Sequence, residues 1–254
     1  MKNIIAIIPA RYASTRFEGK PLVDIFGKTM IERVYHKAES CFKYTVVATD
    51  DHRIEKNVLS FGGNVVMTSV NHRSGTDRCR EALQKAEELF GITFDIVVNL
   101  QGDEPFVDIS QLESLVKCFD DKACEIATLV KPFGEGEDIF NENSPKVVLS
   151  ADNFALYFSR SPIPFLRGTD KSMWQSSRTY YKHIGLYGYR SSVLKDITLL
   201  EAGDLEKCES LEQLRWLENG YKIKTAITNV KSYAIDTPDD LALVLDMFKD
   251  SQDV

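Results

Sequence analysis

The chain has no Cys-x-x-Cys pair, no apolar run long enough to cross a bilayer and no excess of positive charge. Five cysteines in 254 residues, odd in number and scattered at Cys41, Cys79, Cys118, Cys124 and Cys208, argue against a secreted disulfide framework and against a zinc knuckle. A reducing cytoplasm fits them. The amino terminus carries one Lys and an apolar stretch shorter than a signal-peptide core, so a soluble protein is expected. A net charge of -7, from 31 Lys+Arg against 38 Asp+Glu, argues against a nucleic-acid binder that draws its affinity from a basic face. Neither the Gly-x-x-x-x-Gly-Lys-Ser/Thr loop nor the dinucleotide Gly-x-Gly-x-x-Gly occurs, so any phosphate site must be built another way.

What is present is a cationic loop directly after the first apolar run. Ile4-Ile-Ala-Ile-Ile8, ended by Pro9, reads as a strand buried on both faces, as in a parallel sheet. Arg11, Arg16 and Lys20 follow it, with Ala10 just before them, the small residues Ala13 and Ser14 between them and Glu18 as the lone acid. The carboxyl end of a strand in an open α/β sheet is where ligands bind. Arg forks and a mobile Lys charge there suit a polyphosphate, through side chains more than backbone amides. A solvated basic loop is the plainer reading of the same charges.

The first half alternates strand candidates near 4–8, 44–48, 64–67 and 94–100 with amphipathic stretches near 29–40, 51–61 and 76–90, the α/β signature. Beyond about residue 120 the rhythm changes. Strands near 124–131, 146–149, 154–158 and 183–189 follow one another with fewer helices between them, which predicts an antiparallel portion. Residues 160–180 read as a long loop. Ser210-Leu-Glu-Gln213 has the form of a capping box opening a helix that stops at Asn219-Gly220, and 222–228 alternates like a strand. Asp236-Thr-Pro-Asp-Asp240 opens a last helix with Leu241, Val244, Leu245 and Phe248 on one side.

Two carboxylates stand out. Asp103 follows the strand Ile96-Val-Val-Asn-Leu100 and can reach the cleft of the first loop, although Gly102-Asp-Glu-Pro105 is also an ordinary turn sequence. Asp236 has two readings, ligand of a metal or cap of the last helix. Arg73, Ser74 and Gly75 precede a helix, where backbone amides and the positive helix end can meet phosphate. Gln101 offers both a donor and an acceptor to a base edge or a ribose.

The segment Pro9-Ala-Arg-Tyr-Ala-Ser-Thr-Arg-Phe-Glu-Gly-Lys-Pro-Leu22 resembles the nucleotide-binding signature of the sugar nucleotidyltransferase family, in the form found in its 3-deoxy-D-manno-octulosonate (KDO) cytidylyltransferase, or CMP-KDO synthetase, branch. Val47-Ala-Thr-Asp50, His72 to Arg78, Val98 to Pro105, Ala155 to Arg160, His183 to Tyr189, Glu209 to Arg215 and Ile235 to Leu241 are similar to further segments of that family, in its order. One departure is Glu18, where the family usually has Pro. The resemblance implies a Rossmann-like, three-layer α/β nucleotidyltransferase fold, with a mixed, mostly parallel central sheet and a small antiparallel extension. The whole chain would form a single domain, nucleotide-binding over about 1–120 and sugar-binding and dimerising over about 121–254. It implies Mg²⁺-dependent transfer of CMP from CTP to KDO in the cytoplasm for lipopolysaccharide assembly, by a homodimer joined through about 150–200. Arg16 and Lys20 would act on the triphosphate, and Asp103 and Asp236 would hold metal. Arg160, His183, Tyr187, Glu209, Glu212 and Gln213 would surround the sugar acid. From residue chemistry alone these six are equally strand, capping or surface residues, and cytosine is not distinguished from uracil. An enzyme for another acidic sugar of the sialic-acid type, or a nucleotide-sugar binding module without catalysis, are the alternatives.

Overall fold

The computed structural model describes residues 2–13, 17–231 and 233–249. They divide into two compact units, one made of the chain up to Leu112 together with the stretch from Lys231 onward, the other of Glu113–Val230.

In chain order the first unit starts with β1 (Ile4–Ala10), the two-residue strands β2 (Asp24–Ile25) and β3 (Lys28–Thr29), α1 (Met30–Cys41), β4 (Tyr44–Thr49), α2 (His52–Ser60), β5 (Val65–Met67), α3 (Gly75–Phe90) and β6 (Ile96–Asn99). α4 (Ile109–Lys117) follows. Strands β6, β1, β4 and β5 lie side by side in that order, all parallel. Chain order reverses between β1 and β6, because β1, β4 and β5 step outward one way and α3 then carries the chain back to the other side of β1. Right-handed crossovers place α1 and α2 on one face of this sheet and α3 on the other. Burial on both faces explains the unbroken apolar runs: Ile5, Ile7 and Ile8 of β1 and Ile96, Val97 and Val98 of β6 are all fully buried.

The second unit holds β7 (Ile126–Pro132), β8 (Lys146–Leu149), β9 (Ala155–Ser159), the one-turn α5 (Trp174–Ser177), β10 (Tyr181–Arg190), α6 (Ser191–Ile197), α7 (Asp204–Glu209), α8 (Glu212–Glu218) and β11 (Ile223–Ile227). β11 runs parallel to β7. β7 with β10, β10 with β8 and β8 with β9 are antiparallel, as the change of rhythm beyond residue 120 predicts. The loop read over 160–180 contains a 3-10 turn at Lys171–Met173 and α5. Short α6 and α7 have no counterpart in the sequence reading, since six or seven residues carry too few periods to stand out.

The capping box read at Ser210 does not form. Ser210 stands at φ 51°, in the left-handed region, directly after α7, and Leu211 occupies the N-cap of α8 without a side-chain bond. An N-cap needs extended backbone. Ser210 is instead the turning residue that ends one helix before the next begins.

The last helix, α9 (Pro238–Phe248), belongs with the first unit. Ile235 and Val244 share a buried cluster with Ile25 and Met30, and Phe106 stacks on Phe248 at 4.4 Å. Its cap is Thr237, whose hydroxyl accepts from the Asp240 N–H while the Asp240 carboxylate accepts from the Thr237 N–H. The capping reading of Asp236 is thereby overturned. Thr237→Ala should lower stability by about 1 kcal/mol, a fall of a few degrees in Tm, in a thermal melt.

Candidate active site

The carboxyl ends of β1 and β6 flank the point where strand order reverses, and one open cavity lies there. Its wall includes Ala10, Arg11, Lys20, Arg73, Ser74, Gly75, Gln101, Asp103 and Asp236, every candidate nucleotide or metal residue that the described residues contain. Ser14 and Arg16 lie outside the described residues.

Each part of this wall is placed by local chemistry. The loop after β1 closes where the Gly19 N–H donates to the Tyr12 carbonyl at 3.0 Å. Gly19 has φ 71°, and a Cβ there would stand 3.0 Å from the Tyr12 hydroxyl, so both conformation and space call for glycine. A short 3-10 turn, Lys20–Leu22, follows and aims Lys20 inward. On the β6 side, a Cβ on Gly102 would come within 3.0 Å of the Pro9 carbonyl oxygen. Only glycine lets the two strand exits pass so close.

Lys20, 14 % exposed, donates to Asp103 Oδ2 at 2.7 Å and to Asp236 Oδ1 at 3.1 Å. The Ile235 N–H donates to the Asp103 carbonyl at 3.0 Å, which is how the start of α9 reaches this corner. Two carboxylates from distant parts of the chain therefore converge on one cation. Among the described residues no group of three or more His, Cys, Asp or Glu side chains could hold a metal. A hard divalent ion does not need one, since two carboxylates with water and substrate oxygens suffice for it. The donor set fits such an ion.

Across the cavity, α3 points its amino end at the same space. Ser74 caps it by accepting from the Asp77 N–H at 3.1 Å, and Arg73 is exposed beside it. Gln101 donates to Asn99 Oδ1 at 3.3 Å.

Sequence reading missed His72 and Arg78 in this wall. Arg78, only 4 % exposed, donates to Asp50 at 2.9 Å and to the Thr68 hydroxyl at 2.6 Å, which ties α3 to the ends of β4 and β5. Its position one helical turn beyond Ser74 was the available signal. His72 Nε2 lies 2.5 Å from Glu81, which also accepts from the Ser69 N–H at 2.9 Å and pairs with Lys85. Burial works against ionisation of Glu81, but Lys85, the Ser69 N–H and His72 together hold its carboxyl down at about 2. The loop before α3 is thus pinned to the helix.

Glu18 is exposed and is not part of the cavity wall. Its charge acts on Arg53, whose guanidinium is raised above its ordinary value mainly by a hydrogen bond to Asp51, with Tyr12 and Glu18 adding weakly. The Arg53 guanidinium lies 3.2 Å from the Tyr12 ring centroid. Glu104, next to Asp103, is pushed up to about 7 by burial and then by the Asp103 charge, and it too is absent from the wall.

The other six candidates lie in the second unit and form two groups. Arg160 and Glu209 hold each other: the Arg160 N–H donates to the Glu209 carboxylate at 2.8 Å, Arg160 Nε donates to the Glu209 carbonyl at 2.6 Å, and the Ser159 hydroxyl donates to the same carboxylate at 2.6 Å. Further guanidinium donors reach the carbonyls of Glu142 and Ser210. The fully buried Lys146 donates to the carbonyls of Asn141 and Arg160, which fixes this corner from below.

His183, Tyr187 and Glu212 make the second group, with Gln213 the next, buried residue of α8. The His183 ring stands 5.3 Å from Tyr187 and 5.2 Å from Phe158, and its Nε2 meets the Thr128 hydroxyl at 3.1 Å. Burial lowers its pKa to about 4. Burial also raises the Tyr187 phenol well above its ordinary value, with the Glu212 charge adding to it. Gln213 Nε2 is buried with no hydrogen-bond partner among the described residues, whereas the Thr128 hydroxyl acts on the Tyr187 phenol against the effect of burial.

The sign of the His183 shift gives a stability prediction. Its folded pKa lies below the value near 6.5 of an unfolded chain, so the unfolded state takes up the proton first. The contribution is complete above about pH 6.5 and is lost as pH falls toward 4. Urea unfolding of wild type and His183→Gln should therefore differ by a constant amount above pH 6.5, with wild type losing roughly 2–3 kcal/mol relative to the variant by pH 4.

Comparison with known proteins establishes the family and the fold. Residues 5–223 match the cytidylyltransferase family. The 3-deoxy-manno-octulosonate cytidylyltransferase of Parabacteroides distasonis is 57% identical over 249 residues, 96% of this chain and 98% of that one. The protein of the same name from Thermodesulfovibrio yellowstonii is 47% identical over 93% of this chain and 94% of its own. A structure of CMP:2-keto-3-deoxy-manno-octonic acid synthetase complexed with CTP superposes with a TM-score of 0.88 at 39% identity, covering 99% of both chains. A 4-diphosphocytidyl-2C-methyl-D-erythritol synthase from Anaerococcus prevotii, TM-score 0.62 at 12% identity over 98% of this chain and 96% of that one, shares the fold alone, a Rossmann-like mixed, mostly parallel sheet with helices on both sides. With a family match across most of its length and relatives near 50% identity over nearly all of it, this chain belongs to the cytidylyltransferase family.

Proposed function

We propose that the protein transfers CMP from CTP to 3-deoxy-D-manno-octulosonate, with release of pyrophosphate. The anomeric hydroxyl oxygen of the sugar acid bonds to the α-phosphorus as the bond from that phosphorus to the departing pyrophosphate breaks. The observation that carries this reading is the convergence of Asp103 and Asp236 on the Lys20 ammonium inside a cavity flanked by the α3 amino end. Relatives that share the chain's full length act on this sugar acid by name.

Asp103 and Asp236 would hold a divalent cation, Mg²⁺ in this reading, with triphosphate oxygens and water completing its shell. Such an ion would offset phosphate charge and acidify the attacking hydroxyl. The chain's own residues supply the rest. Lys20, on a flexible stem, would serve the phosphates together with Arg11, Arg16 and Arg73, whose charge would count for more as pyrophosphate departs. Backbone amides of Ser74 and Gly75 face the anion along the helix axis. Gln101 and Ser14 complete the nucleotide contacts.

The first unit in this reading handles the nucleotide and the second supplies the sugar contacts. Glu212, Gln213, His183 and Tyr187 offer donors and acceptors to hydroxyls, while Arg160 and Glu209 shape the loop beside them. Leu156, Phe165 and Met173 are large apolar side chains left 61%, 71% and 52% exposed. They support a homodimer joined through about 150–200, which light scattering would detect. Function in the cytoplasm, ahead of lipopolysaccharide assembly, follows from the product.

Pyrophosphate release measured with CTP or UTP and with KDO or a sialic acid tests the reading; turnover should require CTP and KDO together. Lys20→Ala should slow turnover by roughly two to three orders of magnitude. Asp103→Asn and Asp236→Asn should each abolish most activity while leaving Tm almost unchanged, since the helix cap belongs to Thr237. Groups that act as one unit are not additive, so the double variant should be little worse than either single one. Near-normal turnover by Asp236→Asn at low Mg²⁺ would remove that residue from the reaction centre.

A further inference from the structure

Thr128 is a fully buried residue of β7 to which the reaction described above gives no part. It stands opposite Tyr187 of β10, at the point where the ladder between the two strands loses register between Ile184 and Tyr187. The Thr128 hydroxyl lies 3.0 Å from the Ile184 carbonyl oxygen, 2.9 Å from the Leu186 carbonyl oxygen and 3.1 Å from His183 Nε2.

A hydroxyl has one proton to give and two lone pairs. Carbonyl oxygens only accept, so a ring with bare Nε2 would set three acceptors against the one Thr128 proton. With hydrogen on Nε2 the Thr128 proton goes to a carbonyl while a Thr128 lone pair accepts from the ring, and this arrangement leaves the fewest acceptors opposed. The ring is apolar on both sides, against Phe158 and Tyr187, and no carboxylate is paired with it among the described residues. Nothing there favours an imidazolium. His183 Nδ1 makes no hydrogen bond among the described residues, and in the neutral ring it is an acceptor only.

We propose that Thr128 is a positioning residue that fixes His183 as the neutral Nε2–H tautomer, so that Nδ1 receives a hydrogen bond from a sugar hydroxyl instead of pairing with the sugar carboxylate. The proposal rests on the reading of the second unit as the sugar-binding part. It makes His183 a reader of hydroxyl position, and it assigns the acid's carboxylate to other groups. A ligand that presents a carboxylate oxygen to Nδ1 meets lone pair against lone pair, which is discrimination by repulsion.

The tautomer is read on ligand-free protein by long-range ¹H–¹⁵N correlation at neutral pH. The four histidines are separated by assigning His183 through the signal lost in His183→Gln. An Nε2–H, unprotonated-Nδ1 pattern is expected, and an Nδ1–H tautomer or an imidazolium overturns the proposal whatever the enzyme's substrate. Thr128→Val keeps shape but removes the lone pair, and should raise KM for KDO by about ten- to a hundredfold with KM for CTP nearly unchanged. An unchanged KM for KDO overturns the proposal. Thr128→Ser keeps the hydroxyl and should keep both tautomer and KM, which also covers the case in which the valine variant does not fold. Equal loss in serine and valine variants would trace the effect to packing at this position and not to the hydroxyl, and would overturn it. Failure of wild type to release pyrophosphate from CTP and KDO would instead sink the functional reading, and the spectrum would still decide the tautomer.

Discussion

Two ionised carboxylates drawn into one corner repel each other, and in the first unit one lysine offsets that repulsion. Asp103 leaves the end of a buried strand and Asp236 precedes the last helix, and the Lys20 ammonium reaches both. At contact distance, mutual repulsion of unit charges is worth several kcal/mol in a partly buried setting, so the lysine steadies the pair before any ligand arrives. The Asp103 carbonyl and the Ile235 N–H fix the backbones that carry them. Every other wall of the cavity is fitted to this corner, including the two glycines that let Tyr12 and Pro9 come near.

The helix that follows Asp236 contributes by being capped by something else. Thr237 and Asp240 satisfy the first turn of α9 between themselves, and the aromatic stack of Phe106 on Phe248 with the cluster around Ile25 and Met30 holds the helix against the first unit. Asp236 is thus positioned by structure that does not depend on its charge. A group so placed is available for chemistry. The same division recurs in the second unit, where Arg160 is consumed by carbonyls and Glu209 by amide and hydroxyl donors, while Gln213 keeps a buried amide nitrogen without a partner among the described residues.

A parallel sheet of four strands with a reversal next to the first explains why the cavity lies where it does, and the antiparallel strands of the second unit explain how one threonine can govern a histidine. Where β7 and β10 fall out of register, the Ile184 and Leu186 carbonyls both face Thr128, whose hydroxyl donates to one of them. The defect and its repair set the proton on the His183 ring.

Much of this was legible in the chain. Ile4 to Ile8 announced a strand buried on both faces and the alternation up to residue 100 announced a parallel α/β sheet, because period is a local property, and of the cations after Pro9, Arg11 and Lys20 do line the cavity at the strand's carboxyl end. Asp103 was legible for the same reason. Ser210 misled: its spacing to Gln213 matches a capping box, but tertiary packing placed α7 directly before it and drove its backbone left-handed. Asp236 was ambiguous between cap and ligand until Thr237 was seen to make the cap. The sequence by itself determined which segments are strands and helices, where the charge lies and which family the chain resembles, since these depend on neighbours a few residues apart. Only the tertiary structure decided that Lys20 joins Asp103 to Asp236, that Arg78 ties α3 to Asp50 and that Thr128 meets His183, because each joins residues far apart along the chain through side-chain directions that no local pattern encodes.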